Sequence, residues 1–337
     1  MSSPALILLL LVAVAKPLEG KWELRENVYV IDLETDDGED VELECKAAAE
    51  DPMEGVEWKH GRWSVGHGRK LTITVKELPD AGNYTCHSSD DGRTIGYNFL
   101  YINQLFSESD APSGILEEWT EGQFIDCEAK NYNGSFSCSW QLRVPKQHQF
   151  SFKAQNGAIH CMDPKPKPTN ELVYSVLCHH AEACQYGEDH HLISVLLNGT
   201  QGNKYSSYNT SFYIRDIIKP DPPENLHKNK KEGSLRWHYP ASWSNCPSYF
   251  SLEFNVSVPE WKKVKPHSKQ SWVLVEATDY KGPDVKDVKT FCVQARDNYH
   301  TSSWSAWSCT SNRAVMEAQP KKTKHSKNKM DKRSGSN

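Results

Sequence analysis

Short runs in which apolar and polar residues alternate recur along the chain and predict β-strands. In "DVELECKA", Val41, Leu43 and Cys45 alternate with Glu42 and Glu44, and "KLTITV" alternates apolar residues with threonines. This pattern buries one face of a strand and leaves the other face in water. Further strand-like runs are "SLRWHY", "YFSLEFNVSV", "SWVLVEA" and "TFCVQARDNY". Because no amphipathic helix long enough for an α/β fold accompanies them, the sequence predicts an all-β protein.

Residues 21–104 carry the spacing of a β-sandwich closed by a disulfide. Trp58 follows Cys45 by thirteen residues, and in "DAGNYTC" Tyr84 precedes Cys86 by two. A disulfide between two sheets, a tryptophan packed on it and a tyrosine at the entry to a strand require this order. The segment therefore resembles an immunoglobulin domain.

Residues 105–219 form the second predicted domain, which opens with "CEAKNYNGSFSCSW". Cys127 and Cys138 flank the turn "NYNG", so they can face each other on a β-hairpin, with Trp140 on the same face as Cys138. This stretch resembles the first disulfide hairpin of the class I cytokine receptors. That resemblance implies a second pair, Cys161 and Cys178, although sequence alone does not fix connectivity.

Residues 220–313 form the third predicted domain, which begins after "IIKPDPPENL". Pro220, Pro222 and Pro223 lack backbone donors and stiffen the link, so they hold two domains at a set angle. The strand-like runs that follow are spaced as in a fibronectin type III sandwich. The sequence thus predicts an immunoglobulin-like sandwich followed by two fibronectin type III-like sandwiches.

A repeated Trp-Ser step, "WSAWS", follows the strand-like run "TFCVQARDNY". The alternation there directs Phe291, Val293 and Ala295 to the core, and Cys292, Gln294 and Arg296 outward. If the chain returns beside this strand, Arg296 can lie between the rings of Trp304 and Trp307, with cation–π energies of about 0.5–1 kcal/mol each. Ser305 and Ser308 would then bond back to the strand. The motif matches the Trp-Ser-x-Trp-Ser signature of the class I cytokine receptors.

Cys292 and Cys309 flank the same reversal of the chain. Counted outward from a turn near His300, the two fall about opposite each other, so a hairpin disulfide between them is sterically reasonable. Cys246 would then be unpaired or capped by a small thiol.

Both ends of the chain are predicted to lie outside the folded domains. Residues 1–20 hold an apolar run too short to span a bilayer and are predicted to be a secretory signal peptide. Residues 314–337 form a basic tail, predicted to be disordered or, alternatively, to bind a heparan-type polyanion. The net charge of −5 predicts no nucleic-acid partner.

Export of the chain is also suggested by its cysteines and glycosylation sequons. Ten cysteines in an exported protein favour disulfides, so the chain is expected to be secreted and extracellular. Five Asn-x-Ser/Thr sequons, which would mark surface positions if used, begin at Asn83, Asn133, Asn198, Asn209 and Asn255. The family resemblance also implies that Trp304 carries a mannose.

The likeness extends to soluble, receptor-like chains that hold a four-helix-bundle cytokine subunit at the elbow between their second and third domains. It implies an interchain disulfide through Cys184, and a homodimer through this cysteine stays open. The alternative is that Cys184 pairs internally with Cys178 or Cys246. The other partner-binding residues it implies are Tyr132, Glu188, Tyr249, Asp297 and Tyr299. Tyrosines offer a large contact area, and a carboxylate can bind an arginine with two hydrogen bonds. Class I receptors on cells are the other partners implied.

Two stretches of the sequence suggest rival functions. The cluster "CHHAEACQYGEDHH" contains Cys178, His179, His180, Cys184, His190 and His191 and could hold zinc, but export favours disulfides over thiolate ligands. The stretch "GRWSVGHG" has His67 where a phosphate loop requires lysine. We therefore expect no catalysis, no metal and no cofactor. A soluble, non-covalent alpha-type receptor or decoy is the alternative function.

Overall fold

The computed structural model describes residues 20–34, 38–46, 55–105, 114–120, 122–145, 147–155, 158–181, 192–245, 251–258, 272–298 and 302–311. The regular elements in these ranges are β-strands and four short 3-10 helices, η1 to η4, which confirms the predicted all-β class. Within the same ranges, no helix is long and apolar enough to cross a membrane. The predicted signal peptide, apart from Gly20, and the basic tail lie outside the described residues.

The predicted immunoglobulin-like domain, called D1 below, pairs a large sheet with a small one. The strands of the large sheet in D1 are β1 (Lys21–Arg25), β2 (Val28–Leu33), β4 (Val56–His60), β5 (Trp63–His67), β7 (Gly82–Ser88) and β8 (Thr94–Gln104). The small sheet is β3 (Glu39–Glu44) with β6 (Lys70–Val75), and η1 spans Leu78–Asp80.

The core of D1 lies between these two sheets and carries a Cys-Trp-Tyr constellation. A disulfide joins Cys45, just after β3, to Cys86 on β7. Trp58 is fully buried in the same apolar cluster. The hydroxyl of Tyr84 donates a 2.7 Å hydrogen bond to the carbonyl of Asp80, which ties the entry of β7 to the preceding turn.

The second predicted domain, D2, also has two sheets. One sheet contains β9 (Asp126–Ala129), β10 (Ser135–Gln141), β12 (Ile159–Cys161), β13 (Lys165–Lys167) and β14 (Asn170–His180). The other strands are β11 (His148–Ala154), β15 (Ile193–Gln201) and β16 (Lys204–Phe212), followed by η2 (Ile214–Ile217). Disulfides join Cys127 to Cys138 and Cys161 to Cys178, each pair directly opposite across its ladder.

D1 and D2 share one nine-stranded sheet, because the hairpin of β15 and β16 reaches the end of β8. Lys204 pairs with Ile102 in parallel, and the amide of Ile102 donates to the carbonyl of Asn203 at 2.9 Å. Asn203 Nδ2 in turn donates to the carbonyl of Ala81 at 3.0 Å. The tip of a D2 hairpin therefore satisfies backbone groups of D1.

The third predicted domain, D3, continues the β architecture with a three-stranded and a four-stranded sheet. The first contains β17 (Glu224–Asn229), β18 (Ser234–His238) and β21 (Asp279–Lys281). The second contains β19 (Leu252–Ser257), β20 (Trp272–Val275), β22 (Cys292–Asp297) and β23 (Ser308–Cys309). Two further 3-10 helices are η3 (Ala241–Asn245) and η4 (Pro283–Asp287).

The D3 strand before the Trp-Ser repeat follows its predicted pattern except at one position. Phe291, Val293 and Ala295 are buried, as the alternation predicts, and Asp297 at the end of the strand is buried on the same face. Cys292, predicted to face outward, is also buried, because a disulfide joins it to Cys309 on the neighbouring strand β23.

Candidate partner-binding elbow

The turn between β9 and β10 forms the D2 side of the elbow, and its shape follows from local polar residues. Asn131 Oδ1 accepts from the amide of Asn133 at 2.9 Å, and Asn133 Oδ1 accepts from the amide of Ser135 at 2.9 Å. These side chains replace backbone partners that the turn lacks. Gly134 completes the reversal at φ 85°, in the left-handed region that glycine enters without a Cβ clash.

This turn docks onto D3 through two neighbouring side chains. Asn131 Nδ2 donates to the carbonyl of Ser242 in η3 at 2.6 Å. The Tyr132 ring packs edge-on against Trp243, with the ring centroids 6.1 Å apart. The Tyr132 hydroxyl donates a hydrogen bond to Oδ2 of Asp297 at the end of β22. The predicted site residues Tyr132 and Asp297 therefore lie in direct contact across the domain joint.

Asp297 is enclosed at this joint. Its exposed fraction is 0%, and that of Tyr132 is 7%. The backbone carbonyl of Asp297 accepts a 3.0 Å hydrogen bond from the Ser302 hydroxyl, which holds the end of β22 against the returning chain. Burying a carboxylate is costly unless hydrogen bonds compensate it. A partner arginine can therefore reach Asp297 only if the covering groups move, and the direct contact expected from the sequence stays a prediction.

The backbone between D2 and D3 is bonded to both domains. The amide of Lys219 donates to the carbonyl of Ala129 on β9 at 2.8 Å, and the amide of Ser303 donates to the carbonyl of Ile218 at 2.9 Å. Buried apolar residues of D2 and D3 also form one continuous cluster, which includes Trp140 and Phe254. The elbow is thus a packed joint as well as a proline-stiffened link.

A polar cavity of about 410 Å³ lies beside this linker, on the edge of D2. Burial and the neighbouring charge of Glu128 raise the pKa of Asp126. Burial also opposes ionisation of Glu128, but hydrogen bonds from Lys219 and Lys130 outweigh it and lower the pKa of Glu128. The Glu128 hydrogen bond in turn raises the pKa of Lys219. Both side chains are therefore ionised, and the 2.8 Å ion pair between Lys219 and Glu128 holds the linker to β9.

The rest of the predicted partner site falls on undescribed residues. Glu188, Tyr249, Tyr299 and the predicted interchain Cys184 lie outside the described residues, as does Cys246. Sequence reasoning also missed three residues that form the joint, namely Asn131 of D2 and its D3 neighbours Ser242 and Trp243. The "NYNG" turn signal marks Asn131, but its hydrogen bond spans 111 positions, which no local pattern reveals.

The Trp-Ser repeat forms a clasp on the outer face of D3. The Arg296 guanidinium lies 4.6 Å from the ring centroid of Trp304. The predicted sandwich with Trp307 as the second ring is not among the contacts of the described residues. Arg296 instead forms an ion pair with Glu253, its cross-strand neighbour on β19.

Only the end of the repeat forms regular strand. Ser308 and Cys309 pair with β22, whereas residues 302–307 run beside it without a continuous ladder. Ser305 bridges the gap, because its amide donates to the Ala295 carbonyl at 2.7 Å and its Oγ accepts from the Ala295 amide at 2.9 Å. The serine side chain thus substitutes for a missing backbone acceptor.

The five sequons differ in their exposure. Asn83 and Asn209 are exposed, and Asn133 and Asn198 are half-buried. Asn255 is not a surface position, since it lies in the middle of β19 with 3% of its surface exposed. A strand between β20 and β22 is covered by its neighbours, so the fold disfavours a glycan at Asn255.

The rival zinc cluster loses one of its ligands in this fold. Cys178 is bonded to Cys161 and cannot supply a thiolate. Cys184, His190 and His191 lie outside the described residues. Within the described ranges, no group of three or more metal-ligating side chains comes together.

Comparison with known proteins decides the family. Residues 122–201 match the family model described as "Cytokine interleukin-12p40 C-terminus". The chain is 37% identical over 328 residues to interleukin-12 subunit beta of Felis catus, covering 89% of this chain and 96% of that protein. The chain belongs to the interleukin-12 subunit beta family. Interleukin-12 subunit beta of Bos taurus is 35% identical with the same coverage, and the Lama glama protein is likewise 35% identical.

Membership in the interleukin-12 subunit beta family confirms the family to which the sequence resemblance pointed. The names of these relatives describe a cytokine subunit, and this chain is therefore a member of a cytokine-subunit family. The family-model match covers the turn of Asn131 and Tyr132, the D2 side of the elbow.

Proposed function

We propose that this chain is the secreted, receptor-like subunit of a heterodimeric cytokine. It binds a four-helix-bundle alpha subunit at the elbow of D2 and D3 and engages class I cytokine receptors on cells in immune signalling. The observation that carries the proposal is the contact of Tyr132 with Asp297 across the joint, in a member of the interleukin-12 subunit beta family. A joint in which the two domains are already packed together suits a partner because less ordering is needed on binding.

The chemistry of the elbow supports an anchor that is both aromatic and charged. Tyr132 and Trp243 place large, rigid rings beside the Asp297 carboxylate. Binding hot spots are enriched in tyrosine, tryptophan and arginine, and an arginine binds a carboxylate with two hydrogen bonds. We therefore propose that the alpha subunit contributes an arginine, with Glu188, Tyr249 and Tyr299 completing the site.

A covalent link would make the heterodimer permanent. Eight of the ten cysteines form the four disulfides already described, and Cys184 and Cys246 are the remaining two. We propose Cys184 as the interchain cysteine, because it follows in sequence soon after β14, whose His179, near the end of the strand, pairs with Ser135 beside the elbow turn. A homodimer through the same cysteine is the proposed alternative assembly.

The receptor-facing surface is proposed to lie on D1. Trp63 and Val65 on the edge strand β5 are exposed by 66% and 39%, and Tyr97 on β8 of the same sheet is exposed by 46%. The guanidinium of Arg62 lies 4.9 Å from the Trp63 ring. Exposed aromatic side chains next to an arginine are typical of protein-binding surfaces. The basic tail is a separate proposed site, for heparan-type polyanions.

The decisive experiment is co-expression of the full chain with candidate four-helix chains, followed by non-reducing mass spectrometry of the secreted product. We expect a disulfide-linked heterodimer that Cys184→Ser converts to separable chains, whereas Cys246→Ser leaves the link intact. A heterodimer still covalent in Cys184→Ser would refute the cysteine assignment. A non-covalent complex in the wild-type chain would favour an alpha-type receptor or decoy.

A further inference from the structure

Asn83 stands on the outer face of β7 with its amide available. Strand alternation directs Tyr84 into the core and leaves Asn83 and Thr85 on the opposite face. Asn83 is exposed, and no hydrogen bond joins its side-chain amide to another described residue. In contrast, Asn198 Oδ1 accepts a 2.9 Å hydrogen bond from Ser207, and Asn133 Oδ1 accepts one from Ser135.

Asn83 and Thr85, the first and last residues of the sequon, line a cavity of about 300 Å³. Its other walls include His60, Gly82 and Phe99 of D1 and Asn203 at the tip of the D2 hairpin. The cavity therefore spans the D1–D2 joint. Its volume lies at the lower end of the range of about 300–1,000 Å³ found for small-molecule clefts.

We propose that Asn83 carries an N-linked glycan whose first N-acetylglucosamine occupies this cavity and bridges D1 to D2. Asn83 Nδ2 loses a proton and bonds to C1 of the sugar. The lipid diphosphate of the lipid-linked oligosaccharide donor leaves with the electron pair of the broken C1–O bond. The chemistry requires passage through the secretory pathway but no partner chain, so it stands or falls separately from the elbow proposal.

The cavity walls offer the groups that an amino sugar needs. Phe99 provides an apolar surface for the ring carbons. Asn203 Oδ1 accepts no hydrogen bond from another described residue, so it can accept one from a sugar hydroxyl or from the acetamide N–H. Gly82, at φ 118°, leaves the floor open, because a Cβ there would approach Asn203 Nδ2 to 3.2 Å.

A sugar bound at the D1–D2 joint has a measurable effect on how often the joint opens. Among the described residues, backbone pairing between the two domains consists of the bridge of Lys204 with Ile102 and the hydrogen bond from Ile102 to Asn203. A short ladder opens locally more easily than a long one. A sugar that contacts both Phe99 and Asn203 must be released before the joint opens, so it lowers the population of the open state.

A matched control site exists on the same sheet. Asn209, on β16, is exposed and also begins a sequon, but it does not line this cavity. Glycopeptide mapping of the full secreted chain is expected to find Asn83 occupied. Hydrogen exchange of residues 99–103 and 202–205 is then expected to be severalfold faster in Asn83→Asp than in the wild type, and unchanged in Asn209→Asp.

Enzymatic trimming of folded protein keeps the test valid if Asn83→Asp is poorly secreted. Protein from cells that make only high-mannose glycans is treated with an endoglycosidase that leaves one N-acetylglucosamine, or with an amidase that removes the whole glycan. We expect the single sugar to preserve slow exchange at the joint and complete removal to abolish it. An unmodified Asn83, or equal exchange after both treatments, overturns the proposal.

Discussion

The hydroxyl of Tyr132 donates a hydrogen bond to the carboxylate of Asp297, 165 positions further along the chain. Tyr132 belongs to a turn of D2, and Asp297 ends a strand of D3. Both side chains are almost fully buried in the chain by itself. One hydrogen bond therefore contributes to the elbow angle and keeps the proposed anchor for the partner enclosed before the partner arrives.

Tyr132→Phe is expected to weaken this joint. The change removes one donor to a buried carboxylate and should cost about 1–3 kcal/mol of stability. Differential scanning calorimetry should show a lower unfolding temperature for the variant. Tyr97→Phe is the control, because Tyr97 is exposed on D1. Equal unfolding temperatures for Tyr132→Phe and the wild type would show that the hydrogen bond from Tyr132 to Asp297 does not stabilise the joint.

Asp297→Ala is expected to weaken binding of the alpha subunit by 1 kcal/mol or more, a cost typical of a hot-spot residue. Surface plasmon resonance with a chain carrying Cys184→Ser would isolate the non-covalent step. Asp279→Ala is a suitable control, since Asp279 lies on β21 of the same domain and forms only an exposed ion pair with Lys281. Unchanged affinity in Asp297→Ala would count against the elbow as the binding site.

Arg296→Gln should destabilise D3 by about 1–3 kcal/mol, because Glu253 is buried and loses a charged hydrogen-bond partner. The stacking of Arg296 on Trp304 is lost as well. The matched control is Arg236→Gln, which breaks the exposed pair with Glu232 and should cost only about 0.2–1 kcal/mol. Calorimetry measures the unfolding temperature of each variant. Equal decreases in Arg296→Gln and Arg236→Gln would contradict a stabilising role for the contacts of Arg296 in the Trp-Ser clasp.

Stability of D1 is expected to fall at alkaline pH through Tyr84. Burial, with a smaller contribution from the charge of Asp80, raises the pKa of Tyr84 to about 12, above the ordinary value of 10.0. The unfolded chain thus releases the phenol proton first, so stability declines as the pH rises from about 10 to 12. Tyr84→Phe should remove this part of the decline in denaturation curves measured between pH 9 and 12. An identical pH profile in both proteins would exclude the mechanism.

Asn255 is expected to carry no glycan in the secreted protein. A sugar on this central strand would separate β19 from groups that cover it, which conflicts with its burial. Glycopeptide mapping should find Asn209 modified and Asn255 unmodified. Substantial occupancy at Asn255 would show that this face of D3 is more open than the structure describes.

Local patterns predicted some of the strands. The alternation in "KLTITV" and "TFCVQARDNY" corresponds to β6 and β22, because a strand with one buried face repeats every two residues. That rule failed at Cys292, where a disulfide to Cys309 on β23 covers the outward side of β22. Asp297 follows the rule and is buried on the same face as Val293 and Ala295, but only the folded structure brings Tyr132 against it.

The amino-acid sequence by itself determined the all-β class and the family, since alternation, cysteine spacing and motifs are local properties. The family resemblance also pointed to Tyr132 and Asp297 as partner-binding residues, and that role stays a prediction. Only the tertiary structure decided that these two side chains meet, that Arg296 pairs with Glu253, and that D1 and D2 share a sheet. Each of these contacts joins residues tens to more than a hundred positions apart. Their geometry depends on how whole sandwiches pack, and no short window of sequence contains that information.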